Sequence, residues 1–119
     1  MRGDRSKKVR GKYREEFFTI LSSLKNIEDM KRFCLDLFTP QEIDTLAERI
    51  QLVKQLLQKK RQRDVAQHLH TSISKVERGM RMIKFGTGGF KKVLTKFISL
   101  FILTGWWGLP ALFQSRYLW

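Results

Sequence analysis

Apolar residues recur at intervals of three and four along almost the whole chain, and no stretch alternates in the two-residue rhythm of a strand. That restricts the fold to helices packed on helices. Tyr13, Phe17, Phe18, Leu21 and Leu24 mark one face of a first helix. Met30, Phe33, Cys34, Leu37 and Phe38 form the apolar face of a second, with Asn26 as its N-cap and Asp29 three residues on. The clearest boundary is Thr39-Pro40-Gln41-Glu42. Thr39 can cap, Pro40 stands at N1 where its missing N–H costs nothing, and Glu42 at N3 can close a capping box. The helix behind it carries Ile43, Leu46, Ile50, Val53, Leu56 and Leu57 in one stripe. Running to about Gln58 it would span roughly 28 Å, which suits a central helix with partners on both sides.

After the polar break Lys59-Lys60-Arg61 come two short helical patterns, Gln62–Leu69 and Ile73–Phe85. Val65, Ala66 and Leu69 are expected inward on the first, and Ile73, Val76, Met80 and Ile83 on the second. Ala66 is small enough to let the second helix cross closely. His70 stands where the turn needs left-handed φ, and Thr71 or Ser72 can cap the second helix. Ser74, Lys75, Arg78 and Arg81 point outward near the start of the second helix. This is the pattern of a helix-turn-helix, whose second helix reads the major groove. Gly86-Thr87-Gly88-Gly89 ends it, and Phe90–Leu103 reads as a last helix.

Charge supports that reading. The net charge of the chain is +13. Residues 1–14 hold seven Lys or Arg against Asp4, giving +6, and residues 15–57 hold five basic and eight acidic residues, giving −3. Residues 58–92 hold ten basic residues against Asp64 and Glu77, giving +8. Two basic blocks around a mildly acidic scaffold suit a polyanionic partner, and the second block is interleaved with the hairpin's apolar positions.

The stretch from Leu37 to Leu94 resembles the bacterial tryptophan repressor family. The run L-F-T-P-Q-E-I-D-T-L-A-E-R-I-Q-L-V-K-Q-L-L carries the likeness, followed by R-D-V-A-Q-H-L, the turn, and S-I-S-K-V-E-R-G. Residues 13–36 are similar to the two N-terminal helices of that superfamily, so residues 13–96 are covered. The resemblance implies an all-α fold of about six helices, an intertwined homodimer with interlocked N-terminal helices. The sequence favours this independently, because the aromatic-rich first two helices have too little partner surface in one short chain. It implies a repressor of tryptophan biosynthesis and transport genes that binds double-stranded operator DNA, with L-tryptophan as corepressor.

Carried over by position, Arg49 and Arg78 would sandwich an indole ring, a task suited to planar guanidinium groups. Gly79 would leave room for the ring. Thr39 and carbonyls near Asp36 and Phe38 would meet the amino-acid end of the ligand. Met82 stands where the family tends to have a serine that helps hold the ligand's amino group. Lys75 and Glu77 stand where small hydroxyl residues are usual. DNA contact is expected from Arg63, Ser74, Lys75 and Lys84, with Ile73 touching a thymine methyl. The surface alternatives are an ion pair of Arg49 with Asp44 or Glu48, and a phosphate contact for Arg78.

The domain reading is a basic flexible arm at 1–12, the helix-turn-helix domain at 13–96 with its hairpin at 62–85, and an apolar tail at 97–119. Phe97 to Phe113 carries no charge over 17 residues but is interrupted by Gly105, Gly108 and Pro110. It reads as a tail packed on its own domain or on a dimer partner, with an interfacial or disordered tail as the next choice. Trp106, Trp107 and Trp119 are expected to be packing or interfacial residues. Two other functions compete: a regulator of the same superfamily with no effector or a different one, and a basic membrane-surface protein using the tail and the arm.

Enzyme chemistry is not expected, nor a metal or cofactor. His68 and His70 lack a third ligand at helpful spacing, and Cys34, the single cysteine, reads as a core residue and rules out an intramolecular disulfide. No apolar run follows the basic start, so a bacterial cytoplasmic protein without a secretory leader is expected.

Overall fold

The computed structural model describes residues 2–104 as six helices, with no strand among the described residues. They are α1 (Arg2–Ser23), α2 (Ile27–Leu37), α3 (Pro40–Leu57), α4 (Gln62–His68), α5 (Ile73–Phe85) and α6 (Gly89–Thr104). The chain divides into two units between Asp44 and Thr45, so α3 begins in the first and ends in the second.

In the first unit, α1 begins at Arg2 instead of following an irregular arm. Residues 2–12 continue the helix because nothing stops it. Lys and Arg are good helix formers, proline is absent, and Gly3 and Gly11 each weaken a helix by only about 1 kcal/mol. The two following junctions use the side chains expected of them. Asn26 Oδ1 accepts the Asp29 amide at 2.8 Å, and Asn26 Nδ2 donates to Asp29 Oδ2 at 2.9 Å. At the start of α3 the capping box is reciprocal: the Thr39 amide donates to Glu42 Oε2 at 2.8 Å, and the Glu42 amide to Thr39 Oγ1 at 3.2 Å. Cys34 is half-buried, its Sγ 3.8 Å from Met30 Sδ one turn earlier.

The second unit holds the described core: Leu52, Val53 and Leu56 of α3, Val65 of α4, Val76 of α5 and Leu94 of α6. Leu57, Ala66, Leu69, Met80, Ile83 and Phe90 pack around them. Val53, Val65 and Val76 are 0% exposed. The stripe expected along α3 is rotated in part. Leu46 and Ile50 remain exposed, whereas Leu52 and the amide side chain of Gln55 are buried. The reason is α5, which crosses α3 beside Leu52 through a glycine. A Cβ on Gly79 would collide with Leu52 Cδ2 and lie 3.5 Å from Leu56 Cδ1. Gln55 is tolerated because its Oε1 lies 3.3 Å from His68 Nδ1, a polar link from α3 to α4.

Both α3 and α4 end in a left-handed residue that is not glycine, Lys59 at φ 66° and His70 at φ 51°. Each closes the same pair of bonds. Lys59 N donates to Leu56 O and Lys60 N to Gln55 O; His70 N donates to Gln67 O and Thr71 N to Ala66 O. These bonds fix the tight turn between α4 and α5. Ser72 then caps α5, its Oγ accepting the Lys75 amide at 3.3 Å.

Candidate nucleic-acid interface and effector cleft

The geometry of the hairpin decides which α5 residues face outward. Val76 and Gly79 turn into the unit, so the positions around them, Lys75, Glu77 and Arg78, are exposed. Ile73, expected inward, is 46% exposed at the first position of α5. The first position of α5 precedes its first full turn, and Val76, three residues on, is the residue buried in the core. Ser74 is exposed beside it, Arg63 is exposed on α4, and Lys84 is exposed in the last turn of α5. Among the described residues neither Arg63 nor Lys84 has an ion pair. Of the acidic residues in the basic hairpin, Asp64 is engaged by Arg61, with Nε 3.0 Å from Oδ2. The hairpin therefore presents cations and a hydroxyl along the N-terminal half of α5, with further cations at its two ends.

Behind that surface α3, α5 and α6 enclose a cleft of about 290 Å³. This lies near the lower end of the ~300–1,000 Å³ typical of small-molecule sites. From α3 it is walled by Glu48 and Arg49, with Leu52 and Val53 at the floor. From α5 come Lys75, Arg78, Gly79 and Met82, and Phe90 closes it from α6. Arg49 and Arg78, which the family resemblance paired, line one cleft together with Gly79. Arg49 forms no ion pair with Asp44 or Glu48; Glu48 instead pairs with Lys75, Oε1 to Nζ at 4.0 Å. Gly79 does more than leave room for a ligand, since its missing Cβ is what allows α5 to touch Leu52. Thr39 belongs to the first unit, where its amide and hydroxyl are used by the capping box.

Sequence reasoning did not single out Glu48 or Phe90 as cleft residues. Glu48 was detectable in principle, since it is one turn before Leu52 and shares that face of α3. Its placement needed the crossing at Gly79, which periodicity does not show. Met82 is 48% exposed in the cleft wall and supplies a thioether, the departure from the family's usual serine that the sequence already showed.

Trp106, Trp107, Trp119 and most of the apolar tail lie outside the described residues; its first part, from Phe97, continues α6. No described helix is long and apolar enough to cross a membrane.

Over 89 residues the chain is 28% identical to "Uncharacterized protein YerC" of Bacillus subtilis, covering 75% of this chain and 86% of that one. Over 61 residues it is 41% identical to "Trp operon repressor homolog" of Mannheimia succiniciproducens, covering 50% of this chain and 60% of that relative's length. No solved structure matches it. The Trp repressor protein family matches residues 13–98, and the chain belongs to that family, one of DNA-binding regulators and not of enzymes.

Proposed function

We propose that this chain is a DNA-binding transcriptional repressor of tryptophan biosynthesis and transport genes. It acts in the cytoplasm as an intertwined homodimer with L-tryptophan as corepressor. The observation that carries the reading is the cleft itself: two arginines, Arg49 of α3 and Arg78 of α5, line one small pocket. A planar guanidinium stacks on an aromatic face and also binds a carboxylate, so the pair suits an aromatic amino acid. A ligand held there contacts α3 and α5 together and favours one angle between them. In a dimer that angle sets whether two α5 helices meet successive major grooves, about 34 Å apart.

Arg63, Ser74, Lys75 and Lys84 contact DNA in this reading, and Ile73, half-exposed at the start of α5, is free to meet a thymine methyl. Dimerisation is supported by what one copy leaves uncovered, including Tyr13, Phe18 and Ile20 on α1 and Leu35 and Leu37 on α2. Unfolding of such a dimer depends on protein concentration, and a concentration-independent transition would contradict it.

Met82 in the cleft wall favours a second reading, a regulator of the same family that answers to another effector. Titration of a tryptophan-operator duplex with and without L-tryptophan separates the two. Tighter binding with the amino acid is expected, and equal affinity would end the corepressor assignment.

A further inference from the structure

Among the described residues Glu48 is the one anionic side chain lining the cleft, and it stands among Arg49, Lys75 and Arg78. Its carboxylate is already engaged, by Lys75 from the first turn of α5 at 4.0 Å. The Lys75 side chain is 63% exposed and that of Glu48 35%, so the pair lies at the cleft mouth, where a ligand or a phosphate can compete for either partner. Met82 offers no acceptor for an ammonium group, which leaves Glu48 and the neutral hydroxyl of Thr45 as the side-chain oxygens of the lining.

We propose that Glu48 is an exchangeable counterion that couples ligand binding to DNA binding. Without ligand it holds Lys75. When an amino acid enters, the two arginines take its carboxylate, and its α-ammonium takes the place of the Lys75 ammonium on Glu48. One ammonium replaces another, so the carboxylate keeps one cation and the net charge of the cleft is unchanged by the zwitterion. Lys75 is released on the exposed face of α5, where it adds a phosphate contact. The inference rests on the amino-acid reading above and supplies the charge that the ligand moves. By linkage, DNA that captures Lys75 must strengthen ligand binding by the same factor.

The test measures operator binding against salt concentration for the wild-type protein, Glu48→Gln and Lys75→Met, each with and without L-tryptophan. Ligand affinities for L-tryptophan and for 3-indolepropionate, which lacks the ammonium, are measured by calorimetry. In the wild type, L-tryptophan is expected to steepen the salt slope by about one unit, the value of one added phosphate contact. Glu48→Gln should show the steeper slope without ligand. Its ligand-free DNA affinity should rise about two- to five-fold, the range of an exposed ion pair released.

Its preference for L-tryptophan over 3-indolepropionate should fall by about tenfold, as expected for loss of a charge-assisted hydrogen bond. Lys75→Met should bind tryptophan but show no change of slope. A Glu48→Gln protein with the wild-type slope and ligand preference would overturn the exchange while leaving a tryptophan-responsive wild type intact. A wild type that binds no L-tryptophan would overturn the corepressor assignment and the exchange together.

Discussion

Gly79→Ala sets two effects of known sign against each other. In a helix interior alanine is favoured over glycine by about 1 kcal/mol, because it loses less backbone entropy on folding. At this position the added Cβ meets Leu52 Cδ2 head-on and presses toward Leu56 and Val53. Leu52 is 3% exposed and Val53 0%, so neither can swing into solvent, and the strain must be taken by moving α5 off α3. Overpacking of this kind costs about 1–3 kcal/mol. The net expectation is a loss of about 1 kcal/mol, or about 4–8 °C in Tm for a small domain.

Gly11→Ala is the control. It lies inside α1 with nothing within 4 Å of the new Cβ, so only the favourable helix effect of about 0.5–1 kcal/mol remains. Both are read by circular dichroism during thermal unfolding at one fixed protein concentration. If Gly79→Ala stabilised the protein as much as Gly11→Ala, the close crossing of α3 and α5 would be refuted, and with it the position of the cleft.

Three further outcomes are expected from the same contacts. Thr39→Ala removes one half of the capping box and is expected to lower stability by about 1 kcal/mol in urea unfolding; no change would show that the α3 N-terminus is held by other means. Burial and, second, the neighbouring charge of Lys60 lower the Lys54 pKa from its ordinary 10.5, so the unfolded chain binds more protons than the folded one between the two pKa values. Stability therefore rises with pH through that window, and the gain from Lys54→Met at neutral pH should shrink toward zero above pH 10.5 apart from its lost contact over the Phe97 ring; a Tm difference that ignores pH would refute this. Lys84→Ala should weaken binding to all DNA sequences and flatten the salt slope by about one unit, and a change confined to one operator would reassign Lys84 to base reading.

The parts of this fold that the sequence discloses are those governed by neighbours three or four residues apart. The Asn26 and Thr39 caps, the limits of α5 and the left-handed His70 all depend on local chemistry, and each is present as read. The parts that stayed hidden depend on distant residues. Residues 2–12 look like an arm because charge density suggests solvation, yet they hold no proline and only Gly3 and Gly11 disfavour helix, by about 1 kcal/mol each. Leu46 and Ile50 share a face with the core residues of α3, but Leu52 is buried in their place because Gly79 brings α5 to that side. Lys59 turns the chain in a conformation that glycine would advertise and lysine does not. In the cleft, both arginines were visible from the family likeness, whereas Glu48 required the crossing to place it.

What one copy leaves unsatisfied falls into three kinds of surface, and each answers to a different proposed partner. Among the described residues the buried apolar side chains all lie between Leu52 and Leu94, and α1 and α2 have no buried side chain. Helices of this kind draw their stability from packing more than from propensity, and in the proposed dimer the faces bearing Tyr13, Phe18 and Leu35 are covered by a second copy of the same chain. The cations of the hairpin lack acidic neighbours in number, and self-repulsion among them is relieved by a polyanion. Only at Glu48, among the described residues, is a cation of the recognition helix held back by the protein itself, and it is held beside a cleft of single-amino-acid size. In the proposed reading that carboxylate serves the ammonium group of the ligand, which exchanges with Lys75 on it, and DNA supplies no such cation.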